Sequence, residues 1–423
     1  MGASTDRTVV RGKARFASLD LPMTLFAAIL CVIGCLALAE ILRGHHRLAK
    51  ALSRRAAPVP EAPTYPSATV IRPIRGLDVG ARENLIALLT TEYAAPLEIL
   101  FVLDSESDPA LPLLQELERD FGGKGHPFRV LFSGAPPPHR TGKLNAMMLG
   151  VREAKGELIA FSDSDTRPQP HLLRKLVDAL VADRGAGAVF APIVASADES
   201  RSGDVGYGLL VNAWYGPSVA LAAGSSGELP FIMGQFMVLR RQALDDIGGL
   251  ACAEGQLVDD MYIGHCVARA GWRNRVVSQT LRVVTGGMGP LGFVRTFRRW
   301  ILFSEGGLPP GFTRANWVRG ALAWMAWLSI GLAIGLGVPA AGIPAALALI
   351  ALVASQVALE RQMQGPGVAL RHLWIPAILP IVAGLVALST RIWRRVDWRG
   401  RSYALTRGAR LGAKESVDPT RAA

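Results

Sequence analysis

Asp163 and Asp165 stand one residue apart in the stretch FSDSDTRPQP, residues 161–170, at the end of an apolar run. On an extended chain, residues two apart face the same side, so both carboxylates aim at one point. Two such charges repel unless a cation lies between them. A hard divalent ion, Mg²⁺ or Mn²⁺, sharing oxygen ligands with a diphosphate meets that need. The competing reading is a turn in which the Asp and Ser residues cap a following helix. Other clusters bear on the choice. Asp104, Glu106 and Asp108 close LEILFVLDSESDPA. They can accept hydrogen bonds from a nucleobase or ribose, or form a solvated acidic loop. Lys143 and Asn145 open a helical pattern in HRTGKLNAMMLG, where free N–H groups favour phosphate; Lys143 reads otherwise as a surface charge. Asp259 and Asp260 precede the helical run of GQLVDDMYIGHCVARAGWR, either as caps or, for Asp260, as a general base. In GFVRTFRRWILFS, Arg295, Arg298 and Arg299 accompany Trp300 in the pattern of an amphipathic interfacial helix.

A scaffold has to bring these residues together. Between Ser67 and Val189 the runs ATVIRPI, LEILFVLD, FRVLFS, ELIAFSD and GAVFAPI alternate with helical patterns, such as the stripe Leu172, Leu173, Leu176, Val177, Leu180. The alternation predicts an α/β domain with a mainly parallel sheet covered on both faces. Ligands of such sheets gather at the carboxyl ends of strands. Both acidic clusters, at Asp104 to Asp108 and at Asp163 and Asp165, fall there.

The chain has 423 residues, half of them hydrophobic, a mean hydropathy of +0.28 and a formal charge of +12. That balance predicts a membrane protein with a sizeable polar domain. Leu21 to Leu42, Trp317 to Val338, Ala341 to Leu359 and His372 to Ile392 are each long enough to cross a hydrocarbon core about 30 Å thick. The resulting division is a tail at 1–20, a span at 21–42, a basic and Pro-containing linker at 43–66, and a catalytic domain at 67–290. An amphipathic segment at 291–316, spans at 317–338 and 341–359, a spanning or re-entrant helix at 372–392 and a basic tail at 393–423 follow. Basic flanks place the domain on the cytoplasmic side, although Arg7, Arg11, Lys13 and Arg15 weigh the other way. A basic tail after three C-terminal spans conflicts with that side, which makes the Pro-containing fourth stretch the candidate for re-entry. The four cysteines fit no disulfide framework or zinc set. No nucleic-acid recognition motif accompanies the charge, so anionic lipid is the expected partner. A transporter is disfavoured because Glu40, Arg319, Glu360 and Arg391 fall at the ends of the stretches rather than inside them.

Taken together, the segments from about Ile71 to Leu405 resemble the ceramide glucosyltransferase family, membrane-anchored, inverting nucleotide-sugar transferases with a GT-A domain. RPIRGLD is similar to the family's Lys-Pro-Leu-Lys-Gly-Val-Asp opening, and DPA, DSD and VDDMYIG to its three aspartate motifs at Asp108, Asp163 and Asp260. RRW resembles its Arg-Trp pair, and VDWRGRSYAL its C-terminal Trp-Arg-x-x-x-Tyr segment. The resemblance implies Asp108, in preference to Asp104, at the nucleotide, Asp163 near the ribose or metal, Asp165 on the metal, and Lys143 at the diphosphate beside Asn145. Asp260 becomes the base, Arg299 the partner of the departing UDP, and Trp300 a surface for sugar or lipid. Trp214, Tyr215, Gly234 and Gln235 are expected beside the acceptor. Two departures fall on the acceptor side. Thr296 replaces the family's leading Arg or Gln, with Arg295 or Arg298 available to compensate, and Gly216 precedes Pro217 where animal members have His. The implied reaction is transfer of hexose from a UDP-sugar, UDP-glucose first, to a lipid hydroxyl, ceramide first, at a bacterial inner membrane. N-acetylglucosamine or galactose donors, hopanoid, diacylglycerol or polyprenyl acceptors, and a non-catalytic scaffold are the alternatives.

Overall fold

The computed structural model describes residues 21–54, 59–121, 125–197, 201–308, 310–336 and 339–416. The flank with Arg7, Arg11, Lys13 and Arg15 lies outside them. Strands are β1 (Ala68–Ile74), β2 (Leu97–Leu103), β3 (Phe128–Phe132), β4 (Leu158–Ser162), β5 (Thr166–Arg167), β6 (Ala186–Phe190) and β7 (Ile193–Ala197). They continue as β8 (Glu228–Leu229), β9 (Phe236–Arg240), β10 (Arg273–Val276), β11 (Leu281–Thr285), β12 (Arg395–Trp398), β13 (Arg401–Leu405) and β14 (Leu411–Ser416). Helices are α1 (Leu21–Leu52), α2 (Ala81–Leu89), α3 (Leu111–Phe121), α4 (Gly142–Glu153), α5 (Leu172–Ala182), α6 (Ser202–Leu209) and α7 (Gly216–Ala223). They continue as α8 (Arg241–Asp246), α9 (Asp259–Arg269), α10 (Pro290–Gly307), α11 (Pro310–Gly335), α12 (Pro339–Gln362) and α13 (Trp374–Ile392).

The main sheet runs β3-β2-β1-β4-β9-β6-β10-β8. Its first four strands pair in parallel, with Val70 opposite Ile99 and Ile71 opposite Phe161. β9 lies antiparallel between β4 and β6, so the sheet is mixed but mostly parallel. Continuous apolar strands are buried on both faces, with Phe101, Phe161, Phe190 and Phe236 at most 1% exposed. The strands also bury a charge. Arg72 on β1 is fully buried and donates to the Asn84 carbonyl at 2.8 Å, Ser162 Oγ at 2.7 Å and Thr166 Oγ1 at 3.1 Å. Burial draws its pKa down to about 10. These bonds bracket Asp163, Ser164 and Asp165 and fix the turn after β4. A hydrogen bond to a buried charge of this kind is typically worth about 1.5–3 kcal/mol.

A smaller sheet, β5-β11-β7, lies beside the turn. Below the domain, α1 packs against α11 and α12, and α13 packs against α10 and α11. The first helix outruns the expected span by ten residues, through Leu52. Its continuation is amphipathic: Leu48 and Ala51 are buried, while His45 Nδ1 meets Ser355 Oγ at 2.7 Å. The segment expected as a basic tail folds from Arg395 into the antiparallel sheet β12-β13-β14. Val396, Tyr403 and Leu405 supply it with buried apolar side chains.

Candidate active site

A cavity of about 180 Å³ opens at the carboxyl ends of β1, β2 and β4. Several local devices build it. Thr141 caps α4 by accepting the Leu144 N–H at 3.1 Å, which places Lys143 in the first helical turn. α9 starts on Asp259 and Asp260, whose charge suits the positive end of the helix dipole. Pro290 opens α10, which carries Arg299 and Trp300 along its inner side. From the far end of the chain, β12 and β13 bring Trp398, Arg399, Arg401 and Tyr403 to the rim.

Five acids and five bases line this space: Asp104, Asp163, Asp165, Asp259 and Asp260 against Arg75, Lys143, Arg299, Arg399 and Arg401. Many are paired. Lys143 Nζ lies 2.6 Å from Asp163, Arg75 2.7 Å and Arg401 3.1 Å from Asp104, and Arg399 2.7 Å from Asp78. Burial alone would lower the Lys143 ammonium, but Asp163, Asp259 and Asp260 outweigh it and hold the pKa above its ordinary value. Burial, then the charges of Asp163 and Asp78, push Asp165 up to about 6. Asp259 also rises to about 6, through burial against the opposing charge of Lys143. Burial raises Asp260 as well, and it lowers Arg299.

Asp260 is held in one orientation. Its two oxygens accept the Gly234 N–H at 2.6 Å and the Met261 N–H at 2.8 Å. Gly234 is required by this approach, since a Cβ there would lie 2.6 Å from the Asp260 Cβ. Trp300 stands edge-on to Tyr215 and Tyr207, with ring centroids at 4.9 Å and 6.0 Å.

Of the residues singled out from sequence, Asp104, Lys143, Asp163, Asp165, Tyr215, Gln235, Asp260, Arg299 and Trp300 line the cavity together. Asp108 does not. Its carboxylate accepts the Gly76 N–H at 3.1 Å and the Ala110 N–H at 2.9 Å, tying two loops together and leaving Asp104 as the acid that faces the space. Asn145 is turned to the Ser133 carbonyl and to Arg140. Gly234 supports Asp260 from outside the lining, and Trp214 faces a second cavity. Arg298 donates to the Arg395 carbonyl at 2.8 Å, joining α10 to the C-terminal sheet, and neither it nor Arg295 lines the space. Arg75, Arg399, Arg401, Tyr207 and the supporting Arg72 were missed as site residues. RPIRGLD and VDWRGRSYAL had marked four of those five positions, all but Tyr207, but no rule of spacing assigns a basic tail to a cleft 300 residues upstream.

The second cavity, of about 470 Å³, is mostly apolar and lies between the domain and the long helices. α1, α7, α10, α11, α12 and α13 all contribute to its wall, among them Trp214, Val219, Phe297, Trp324 and Leu388. Tyr215, Met233, Met261 and Ser304 line both cavities, so the two adjoin next to Asp260, which itself lines only the charged one. Tyr215 and Trp214 end a π-helical turn, Leu210–Tyr215, a rare geometry that recurs at functional sites.

The residues present fit a divalent cation. Asp165 Oδ1 and Gln235 Oε1 are buried without a hydrogen-bond partner among the described residues. No group of three or more His, Cys, Asp or Glu that could hold a metal by itself occurs among them. The fit is therefore to an ion shared between the Asp163–Asp165 pair and a ligand. The balanced charges of the wall also mean that a diphosphate needs a cation to offset its own charge.

The sequence profile described as glycosyl transferase family 21 matches residues 26–411. Ceramide glucosyltransferase 1 of Caenorhabditis elegans is 24% identical over 301 residues, covering 68% of this chain and 58% of that protein. A ceramide glucosyltransferase of Gibberella zeae is 26% identical over 175 residues, 38% of this chain and 32% of its own length. The chain thus spans less than two thirds of either relative. Among solved structures, a mannosyltransferase from Pyrobaculum calidifontis in complex with GDP-Man and Mn²⁺ superposes with a TM-score of 0.51 at 19% identity, covering 86% of this chain and 99% of that one. That likeness identifies the fold as GT-A.

Proposed function

We propose, since the chain belongs to glycosyl transferase family 21, that it transfers a hexose from a UDP-sugar to the hydroxyl of a membrane lipid, with inversion. UDP-glucose and ceramide are the first reading. The observation that carries it is the junction of a charged cavity with a larger apolar one at Tyr215, Met233, Met261 and Ser304, two of which, Met233 and Met261, flank the Gly234–Asp260 contact. A soluble acceptor has no use for some 470 Å³ of apolar space beside the base; an acyl chain does.

In this reading Arg75 and Asp104 border the nucleoside, and Lys143, Arg399 and Arg401 face the diphosphate. Asp163 and Asp165 would hold Mg²⁺ or Mn²⁺, which when bound supplies positive charge at the leaving group. The lipid lies in the apolar cavity with its hydroxyl at Asp260. The raised pKa of Asp260 makes it a better proton acceptor than an ordinary carboxylate, and its fixed oxygens point it at that hydroxyl. The hydroxyl oxygen attacks the anomeric carbon as its proton passes to Asp260, and the bond to UDP breaks on the opposite face. Arg299, Lys143 and Arg399 stabilise the charge on UDP, which leaves without needing a proton. Trp300, braced by Tyr207 and Tyr215, forms the wall between sugar and lipid.

The membrane arrangement is part of the proposal. α1 and the segment Leu370–Ile392 are long and apolar enough to cross a bilayer. Exposed Leu25, Phe26, Ile29 and Val32 on α1, Leu328 and Leu332 on α11, and Leu347 and Ile350 on α12 suit contact with lipid. Arg401 from the C-terminal sheet pairs with Asp104 of the domain, which requires both on one side and an even number of crossings between them. α11 and α12 crossing as a hairpin, with α13 re-entering around Pro376 and Pro380, meets the requirement. The basic flanks favour the cytoplasmic side for this face, and a bacterial inner membrane is part of the proposal.

The test is UDP release by detergent-purified protein with Mn²⁺ or Mg²⁺, across UDP-glucose, UDP-galactose and UDP-N-acetylglucosamine, with and without ceramide. Ceramide-dependent release with UDP-glucose supports the first reading. Release that needs a different lipid or sugar replaces that half of it, and absence of release with every donor and a whole-membrane lipid extract contradicts catalysis.

A further inference from the structure

The loop from β8 to β9 ends between the two acidic sides of the charged cavity. Gly234 donates its N–H to Asp260 Oδ2 at 2.6 Å, and the carbonyl of the next residue, Gln235, accepts the Asp163 N–H at 2.9 Å. That second bond carries the antiparallel pairing of β4 and β9 one step beyond Ser162 and Phe236. Directly opposed residues share a face of the sheet, so the Gln235 side chain stands on the side of Asp163. The backbone thus fixes Gln235 in the interval between the Asp163–Asp165 pair and Asp260.

In that interval its amide is left open. Oε1 is buried without a hydrogen-bond partner, and Nε2 makes no hydrogen bond to the described residues. Polar groups withdrawn from water are hydrogen-bonded as a rule, so an open amide in the wall of a cavity marks a place for a ligand. The two serines of the same wall are already committed, Ser164 Oγ to Asp78 at 2.6 Å and Ser304 Oγ to the Ile301 carbonyl at 2.8 Å. Position also assigns Gln235 to one of the two spaces. Met233 lines both cavities, whereas Gln235 lines the charged one and not the apolar one.

We propose, resting on the sugar-transfer reading, that Gln235 binds a hydroxyl of the hexose being transferred and so sets which sugar nucleotide is accepted. With the diphosphate at Lys143 and the lipid hydroxyl at Asp260, the sugar occupies the interval in which Gln235 is held. A hexose is uncharged, and each of its hydroxyls both donates and accepts; a side-chain amide offers both in return. Asp165 Oδ1, the other open oxygen of the wall, belongs to a carboxylate and suits a hard cation, which leaves the neutral amide to the sugar. A site built to bond a hydroxyl discriminates against a sugar that lacks it, because the amide is then left unpaired.

The test is calorimetric binding to the full chain in detergent, with Mn²⁺ present and no lipid acceptor. The ligands are UDP, UDP-glucose, UDP-galactose, UDP-N-acetylglucosamine and the monodeoxy analogues of whichever of the three sugar nucleotides binds most tightly. The unaltered protein should lose roughly 20-fold in affinity for one analogue. Gln235→Leu should bind UDP unchanged, lose a similar factor for the full sugar nucleotide, and no longer distinguish it from that one analogue, since both partners of the bond have then been removed. Gln235→Met takes the place of the leucine variant if that protein does not fold. The same ranking of analogues in the variant and the unaltered protein overturns the role of Gln235. Equal weakening of UDP and of every UDP-sugar also overturns it, by moving the amide to the metal or the nucleotide. UDP that fails to bind the unaltered protein contradicts the sugar-transfer reading itself, whereas intact UDP binding with an unchanged sugar ranking overturns Gln235 alone.

Discussion

The two adjoining cavities are built on opposite principles. The cleft at Asp163 and Asp260 is lined by equal numbers of acids and bases whose positions are set by ion pairs and backbone amides. Its neighbour is walled by helices and holds few polar atoms, so its selectivity rests on shape. A buried charge works only in the geometry that satisfies it, whereas an apolar wall tolerates any filling of the right volume. Substitutions in the first should therefore act steeply on turnover, and those in the second should act on acceptor choice.

The largest expected effect is at Asp260. Asp260→Asn keeps the size of the side chain and removes the proton acceptor, so turnover should fall about 10³-fold while UDP binding by calorimetry changes little. Retained turnover would take the base role from Asp260. Next come Arg399→Ala and Arg401→Ala, each expected to lower kcat/KM for the UDP-sugar by roughly 10²-fold, with Arg399→Lys recovering part of the loss. Equal activity without either guanidinium would reduce the C-terminal sheet to packing. A smaller effect is predicted for Val219→Trp in the apolar cavity. Lipid KM should rise about tenfold for a long-chain acceptor and less for a short-chain one, and slow hydrolysis of the UDP-sugar without acceptor should be unchanged. If hydrolysis falls equally, the two spaces are not separable.

The subtlest effect concerns pH. Asp260 must be deprotonated to act, and burial raises its pKa, so activity should be lost as pH falls through a value above the ordinary Asp figure of about 3.9. The Gly234 N–H stabilises the charged form. Gly234→Ala disturbs that bond and should move the acid limb of the profile further upward, with a modest loss of maximal rate. An unmoved limb would assign the titration to another group.

Much of the cleft was legible because it lies at strand ends. Apolar runs closing on Asp104 and on Asp163 and Asp165 announce both the sheet and its ligand edge, and Asp260 and Lys143 follow from helix starts. Asp108 shows the limit of that logic: an acid in the right loop can serve the loop itself, through Gly76 and Ala110. Arg72 was marked only as the first residue of RPIRGLD, and its role was hidden because in the run ATVIRPI a charge on a central strand looks like an exposed residue until the neighbouring turn is seen to need it. Arg399 and Arg401 were read as membrane-flanking charge, since sequence distance hides that β12 and β13 return to β2 and α4. The long apolar stretches coincide with the helices α1, α11, α12 and α13, but α1 continues past its apolar core because burial of Leu48 and Ala51 sustains it.

The most direct measurement of the central claim is the mass and anomeric configuration of the lipid formed from UDP-glucose and ceramide by the purified protein. The account predicts a single added hexose in the β configuration, inverted from the α-linked donor, and none with Asp260→Asn. An α-linked product, or glucose released to water with no glycolipid, would contradict it.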